Sequence, residues 1–182
     1  MDIFNSPIES CALDKGDNCL YFDCSKKERY ELVKKLLAVQ YDLVCKGKLT
    51  KAYCLEALRK MSRDEYVNDS FGYFSYYPNA NSTRFITRSG RGYQNDLGGI
   101  AICLISNKEK RIGTVEILCS KNKSGTKLLQ NIEEEGNGRD LRVIQLFSLP
   151  EDRLKKWYQD RDYLVSDILS SDGTYMAQKI LS

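Results

Sequence analysis

Apolar positions along the chain fall into two periodicities that alternate. Cys19 to Cys24 is a short apolar and aromatic run that predicts a first strand. Ser25 and Glu28 then fit a capping box. A 3.6-residue stripe follows, built from Tyr30, Val33, Leu37, Tyr41 and Val44, and predicts a helix that ends at Gly47. Its apolar face is wide, as expected of a helix packed on a sheet. Thr50 can cap a second helix with Cys54, Ala57, Leu58 and Met61 facing inward. Residues 62–96 read as irregular. They hold a dense aromatic patch, Tyr66, Phe71, Tyr73, Phe74, Tyr76 and Tyr77, then Arg84, Arg88 and Arg91, with one strand expected at Arg84 to Arg88.

The second half is more regular. Gly98 to Ser106 is an unbroken apolar run, expected as a central strand. A polar turn, Asn107 to Lys110, leads into Arg111 to Cys119, so these strands should pair antiparallel. A short basic loop with one glycine, Ser120 to Gly125, opens a helix from Ser124 to Glu135, with Leu128, Leu129 and Ile132 on one face. Gly136-Asn137-Gly138 is expected to stop it, and Glu133, Glu134 and Glu135 read as a solvated acidic face. Leu141 to Leu149 is the next strand, parallel to the Arg111 strand if the helix crosses over between them. Pro150 starts a helix to about Gln159. Tyr163 to Leu169 and Thr174 to Leu181 read as a closing hairpin.

A length of 182 residues fits one domain. Residues 1–18 are expected as an irregular lead-in, residues 19–96 as a strand with helices and an aromatic segment, and residues 97–182 as the core. The net charge of +3 is mild and does not demand a nucleic-acid partner. Arg84, Arg88 and Arg91 beside the tyrosines could still stack on bases and hold phosphates. No apolar run is long enough to span a membrane. The first residues lack the basic start and apolar core of a signal peptide, so a cytoplasmic location is expected. Seven cysteines without a C-x-x-C pair are expected as reduced thiols, with no metal site. With no histidine in the chain, Ser-His and Cys-His nucleophilic catalysis is excluded.

The candidate chemistry lies where the Arg111 strand ends. Strand, tight loop and helix place unpaired backbone N–H groups at a helix N-terminus, an arrangement suited to phosphate. The loop is neither a P-loop, which needs a Lys-Ser/Thr pair after its second glycine, nor the dinucleotide fingerprint G-x-G-x-x-G. Glu116 is the one charged residue inside the apolar stretch of that strand.

The order of elements, with TVEILCSKNKSGTKLLQNIEE, IQLFSL and LKKWYQDRDY, resembles the GNAT superfamily of N-acetyltransferases. In that family the strand ends in a loop of the form Q/R-x-x-G-x-G/A. Gly125 matches its last position; Lys123 stands where the first glycine is usual, and Ser120 takes the leading position. Trp157-Tyr158 and Tyr163 match a later aromatic hallmark, with Asp162 in place of a glycine. The resemblance implies an α/β fold, a mixed and mainly antiparallel sheet split between two parallel central strands and flanked by helices. It implies acetyl-CoA as cosubstrate, no metal, and an amine acceptor on a small molecule or a protein. It implies direct attack on the thioester with no covalent enzyme intermediate. Leu118, Cys119 and Ser120 would bind the pantetheine, and Asn122, Lys123, Ser124, Gly125, Thr126 and Lys127 the pyrophosphate, with Ser148 on the neighbouring strand. Glu116 would relay the amine proton as a general base, and Tyr158 would protonate the departing thiolate. The expected state is a monomer or homodimer, without membrane or nucleic acid. The departures in the loop leave a second reading open, the same fold binding its ligand with little or no turnover.

Overall fold

A computed structural model describes residues 12–16, 19–23, 52–54, 56, 70–76, 84–86, 91–93, 97–107, 109, 111–121 and 123–181. Its main sheet has eight strands. They are β1 (Ala12–Gly16), β2 (Cys19–Asp23), β3 (Ser70–Tyr76), β6 (Leu97–Asn107), β7 (Ile112–Ser120), β8 (Val143–Ser148), β9 (Leu164–Leu169) and β10 (Tyr175–Ile180). Their spatial order is β1-β2-β3-β6-β7-β8-β10-β9, while β4 (Arg84–Ile86) and β5 (Arg91–Tyr93) form a separate two-stranded sheet. All neighbours in the main sheet are antiparallel except β7 and β8, which are parallel. Two helices are described at full length, α1 (Gly125–Gly138) and α2 (Asp152–Gln159).

β6 forms where the longest apolar run predicts it and pairs antiparallel with β7. Consecutive residues Ile100 to Leu104 are all buried. Side chains alternate between faces, so β6 is covered on both. On one face α1 contributes Leu128, Leu129 and Ile132 to a core with Phe71, Tyr73, Ala101, Cys103, Ile144, Leu146 and Ala177. Each large side chain buried this way stabilises the fold by about 1.5–3 kcal/mol. Trp157 and Tyr158 of α2 pack against the same core.

The strand expected at Arg111 to Cys119, the α1 crossover, the parallel β8, α2 and the closing β9–β10 hairpin are all found, with ends shifted by a few residues. Three expectations change. Part of the lead-in, Ala12–Gly16, is an edge strand paired with β2. Part of the segment read as irregular is β3, an interior strand between β2 and β6, with Phe71, Tyr73 and Phe74 buried. Those three rings are therefore not offered for base stacking. Finally, Gly136-Asn137-Gly138 does not stop α1. The helix runs through it and closes one residue later, with Asp140 at φ 63. Asp140 N–H bonds the Asn137 carbonyl at 3.1 Å and Leu141 N–H the Gly136 carbonyl at 2.8 Å, a Schellman end. Gly136 sits in a tight place, where an added Cβ would lie 3.1 Å from Ile144 and 3.3 Å from Leu141.

The acidic run at the end of α1 is also not simply solvated. Glu133 accepts hydrogen bonds from Tyr163 Oη at 3.0 Å and Lys179 Nζ at 2.7 Å, and Glu135 pairs with Arg139. The helices expected between Ser25 and Met61 lie mostly outside the described residues; Ala52–Cys54 and Glu56 are helical. Cys54, Cys103 and Cys119 are buried free thiols. No helix among the described residues is long and apolar enough to cross a membrane.

Candidate active site

The site begins with a fault in the sheet. β7 and β8 are in register from Ile112 opposite Val143 to Val115 opposite Leu146, and no further. On its other side β7 pairs Val115 with Cys103 and Ile117 with Ile102, so Glu116 is an inserted residue. Such a bulge bends and twists its strand. It falls immediately after the last pair with β8, so β7 turns away while β8 runs on. Along Glu116 to Ser120 the β8-facing edge of β7 has no strand neighbour among the described residues.

The gap opens into a cleft of about 890 Å³, walled by Leu118, Ser120, Leu154, Trp157 and Tyr158 and floored by Gly125 and Thr126. Four cationic side chains line it, Lys121, Lys123, Arg153 and Arg161. A smaller recess of about 230 Å³ adjoins it, sharing Leu118, Arg153, Leu154 and Tyr158 and lined further by Tyr53, Glu116, Phe147, Ser148 and Glu151. Tyr158 thus stands at the junction of a basic cleft and a recess holding two carboxylates.

The start of α1 is held by serines. Ser124 N–H donates to Ser120 Oγ at 2.8 Å, and Ser124 Oγ lies 3.1 Å from Ser120 Oγ and 2.6 Å from Ser75 Oγ of β3. Lys123, just before, takes a left-handed backbone with φ 59. This is the conformation glycine adopts without penalty, which accounts for a glycine being usual at that place in the loop. Asp162 has φ 68 and occupies the other expected glycine position.

Tyr158 lies edge-on to Trp157 and Tyr163, with ring centroids 5.0 and 5.8 Å away. Burial pushes its phenol up to about 12; the neighbouring Cys119 adds to this and the Arg161 guanidinium opposes it. The hydroxyl therefore keeps its proton at neutral pH. In the recess Tyr53 Oη donates to Glu116 Oε2 at 3.5 Å, and burial together with that carboxylate pushes Tyr53 up to about 12. Glu116 itself is half-buried. Ser148 is buried, its hydroxyl donating to the Leu149 carbonyl at 3.0 Å.

Solved structures superpose on this architecture over nearly their whole length. A protein assigned to the GNAT acetyltransferase family from Desulfovibrio desulfuricans matches with a TM-score of 0.58 at 9% identity, over 90% of this chain and 99% of its own. The chain has the GNAT fold. The aminoglycoside 6'-N-acetyltransferase from Enterococcus faecium gives a TM-score of 0.55 at 14% identity, over 90% and 97% of the two chains. PaiA N-acetyltransferase from Thermoplasma acidophilum, in complex with coenzyme A, gives 0.50 at 12% identity, over 89% and 98%. No protein-family profile matches the sequence, and no curated protein is a significant match.

Within the GNAT fold the expected residues separate into groups. Leu118, Ser120, Lys123, Gly125, Thr126 and Tyr158 line the large cleft, and Glu116 and Ser148 line the recess. Ser124 is spent on the Ser75 and Ser120 bonds and Cys119 is buried; neither side chain lines the cleft, nor does Lys127. Asn122 lies outside the described residues. Among those described, no cluster of three or more acidic or thiol side chains forms a metal site. Sequence reasoning missed Tyr53, Lys121, Arg153 and Arg161. Arg161 lies past the end of α2, so the helical pattern that holds Trp157 and Tyr158 does not extend to it. Tyr53 reaches Glu116 from 63 positions away, and no local pattern announces that.

Proposed function

We propose that the chain is an acetyl-CoA-dependent N-acetyltransferase. The observation that carries this reading is the splay of β7 from β8 at the Glu116 bulge, opening onto a basic helix start with Tyr158 at the junction. A thioester with a long arm and a pyrophosphate suits such a cleft. The edge of β7 from which β8 has splayed, at Leu118 to Ser120, would bond the pantetheine, and the first-turn amides of α1 with Lys123 would take the phosphates. Coenzyme A in the Thermoplasma relative supports the class of ligand.

The acceptor amine would sit in the recess. An amine of ordinary basicity, with a pKa near ~10.4, must lose a proton before it attacks. Glu116 would take it, directly or through water, with the Tyr53 hydroxyl 3.5 Å from its carboxylate. The nitrogen lone pair then forms the C–N bond, and a β7 backbone N–H holds the oxyanion. As the C–S bond breaks, Tyr158 gives its proton to the thiolate, and the nitrogen loses its second proton through water, which restores the phenol. No enzyme nucleophile takes part.

A thiol-release assay with acetyl-CoA and a panel of primary amines tests the reading. Turnover should appear with some amine. Tyr158→Phe should lower kcat by about 100–10,000-fold with coenzyme A affinity unchanged, and Glu116→Gln should do likewise. Binding of acetyl-CoA without thiol release for any amine would make the chain a binding module instead. Variants that turn over like the wild type would overturn these two roles.

A further inference from the structure

Just past α2, Arg161 reaches back to the start of α1. Its Nε and Nη2 donate to Thr126 Oγ1 at 3.1 and 2.6 Å, and its Nη1 donates to the Trp157 carbonyl at 2.8 Å. The guanidinium carbon lies 3.7 Å from the centre of the Trp157 ring. That ring in turn covers Gly125, 3.5 Å from where a Cβ would stand. One side chain thus grips the first turn of α1, the last turn of α2 and the indole between them. The grip needs a planar fork that can bond a hydroxyl through two nitrogens while stacking on an aromatic face. Arginine supplies both and lysine does not. Tyr158 is the residue next to Trp157, so whatever fixes the indole fixes the backbone that carries the phenol. The guanidinium also lines the cleft, and its fork keeps N–H groups to spare beyond these bonds.

We infer that Arg161 is a positioning residue that joins the phosphate-facing start of α1 and the Trp157–Tyr158 pair into one unit. Ligand recognition by this unit rests on the acetyltransferase reading; the clamp itself rests on the geometry. Phosphates bound at the helix start would then find the phenol already set at the junction of the cleft and the recess. Small misplacements at such a junction are costly, because the reacting groups must stay aligned to fractions of an ångström.

Trp157 is the one tryptophan in the chain, so its emission reports on this spot alone. Without ligand, Arg161→Gln and Thr126→Val should each shift that emission and increase its quenching by acrylamide. Each should weaken coenzyme A by about tenfold, and the double variant should be no more than about twofold weaker than Arg161→Gln, because both break one linkage. Arg161→Lys keeps the charge and should remain weakened. Losses that multiply to about a hundredfold, full rescue by lysine, or an emission unchanged in both single variants would overturn the clamp. If the wild type fails to bind coenzyme A, the acetyltransferase reading falls, and the emission comparison still decides the clamp.

Discussion

Lys123 sets a backbone cost against an electrostatic use. At φ 59 an L-residue loses about 1–2 kcal/mol relative to an ordinary conformation. Glycine there would recover this, less about 0.5–1 kcal/mol of extra chain entropy in the unfolded state. Lys123→Gly should therefore raise the unfolding free energy by about 0.5 kcal/mol in urea titrations, and it should weaken coenzyme A several-fold with a flatter salt dependence. Asp162, at φ 68 and outside the cleft lining, is the control: Asp162→Gly should stabilise similarly and leave coenzyme A binding alone. A Lys123→Gly variant that binds as tightly as the wild type would remove the ammonium from the phosphate site. Tyr158 makes a second residue-level prediction. A general acid works only while protonated, and burial has pushed this phenol up to about 12. Its proton is present below that value and lost as pH rises through it. The kcat of thiol release should show no alkaline fall from this group up to about pH 10, where an unshifted phenol would be half-ionised. An alkaline limb near pH 8 that vanishes in Tyr158→Phe would contradict the assignment.

Among the elements, the junction of α1 with β6 is the tightest. A Cβ on Gly99 would lie 2.6 Å from Ser75 Oγ, 2.7 Å from Ser124 Oγ and 2.8 Å from Leu128. The helix start approaches β6 so closely that a methyl group cannot fit without moving the serine bonds or the leucine. Gly99→Ala should cost about 1–3 kcal/mol in denaturant unfolding and, if the first-turn amides of α1 hold the phosphates as proposed, weaken coenzyme A. Undiminished stability would mean that the helix start yields easily. The same region shows what local pattern reveals. β6, β7, α1 and α2 are legible because each has a run or stripe of its own. The end of α1 is not, because its two glycines suggest a stop, while Gly136 answers the crowding of Ile144 and Leu141 from another element. The role of Glu133 is hidden for a similar reason, its partner Lys179 lying 46 positions away.

At the scale of the whole molecule, the half of the sheet that carries the cleft was readable, while of the other half β2 was found from its apolar run and β1 and β3 were not. β3 is buried on both faces, so it shows no alternation, and Gly72 within it mimics a loop. β1 is an edge strand with β2 as its neighbour in the sheet, and Leu13 is its one large apolar side chain, so no apolar pattern marks it. The bulge at Glu116 was likewise invisible, because an inserted residue is defined only by its partners on β6. Glu116 itself was found from its charge in an apolar run. The bulge adds the reason the sheet opens at that residue and brings Tyr158, Glu116 and the start of α1 around one gap. A ligand bridging that gap should tie β7, α1 and α2 together and stabilise the molecule as a whole. Coenzyme A at about a hundred times its dissociation constant adds about 2.7 kcal/mol. For a chain of this size that corresponds to a rise in Tm of about 5–10 °C. Pantetheine at the same concentration lacks the phosphates that the basic lining of the cleft would attract and should raise Tm far less. The advantage of coenzyme A should shrink as salt is added, since that lining is screened by it. An equal shift with pantetheine would take the phosphates out of recognition, and no shift with either would leave the opened sheet without the ligand assigned to it.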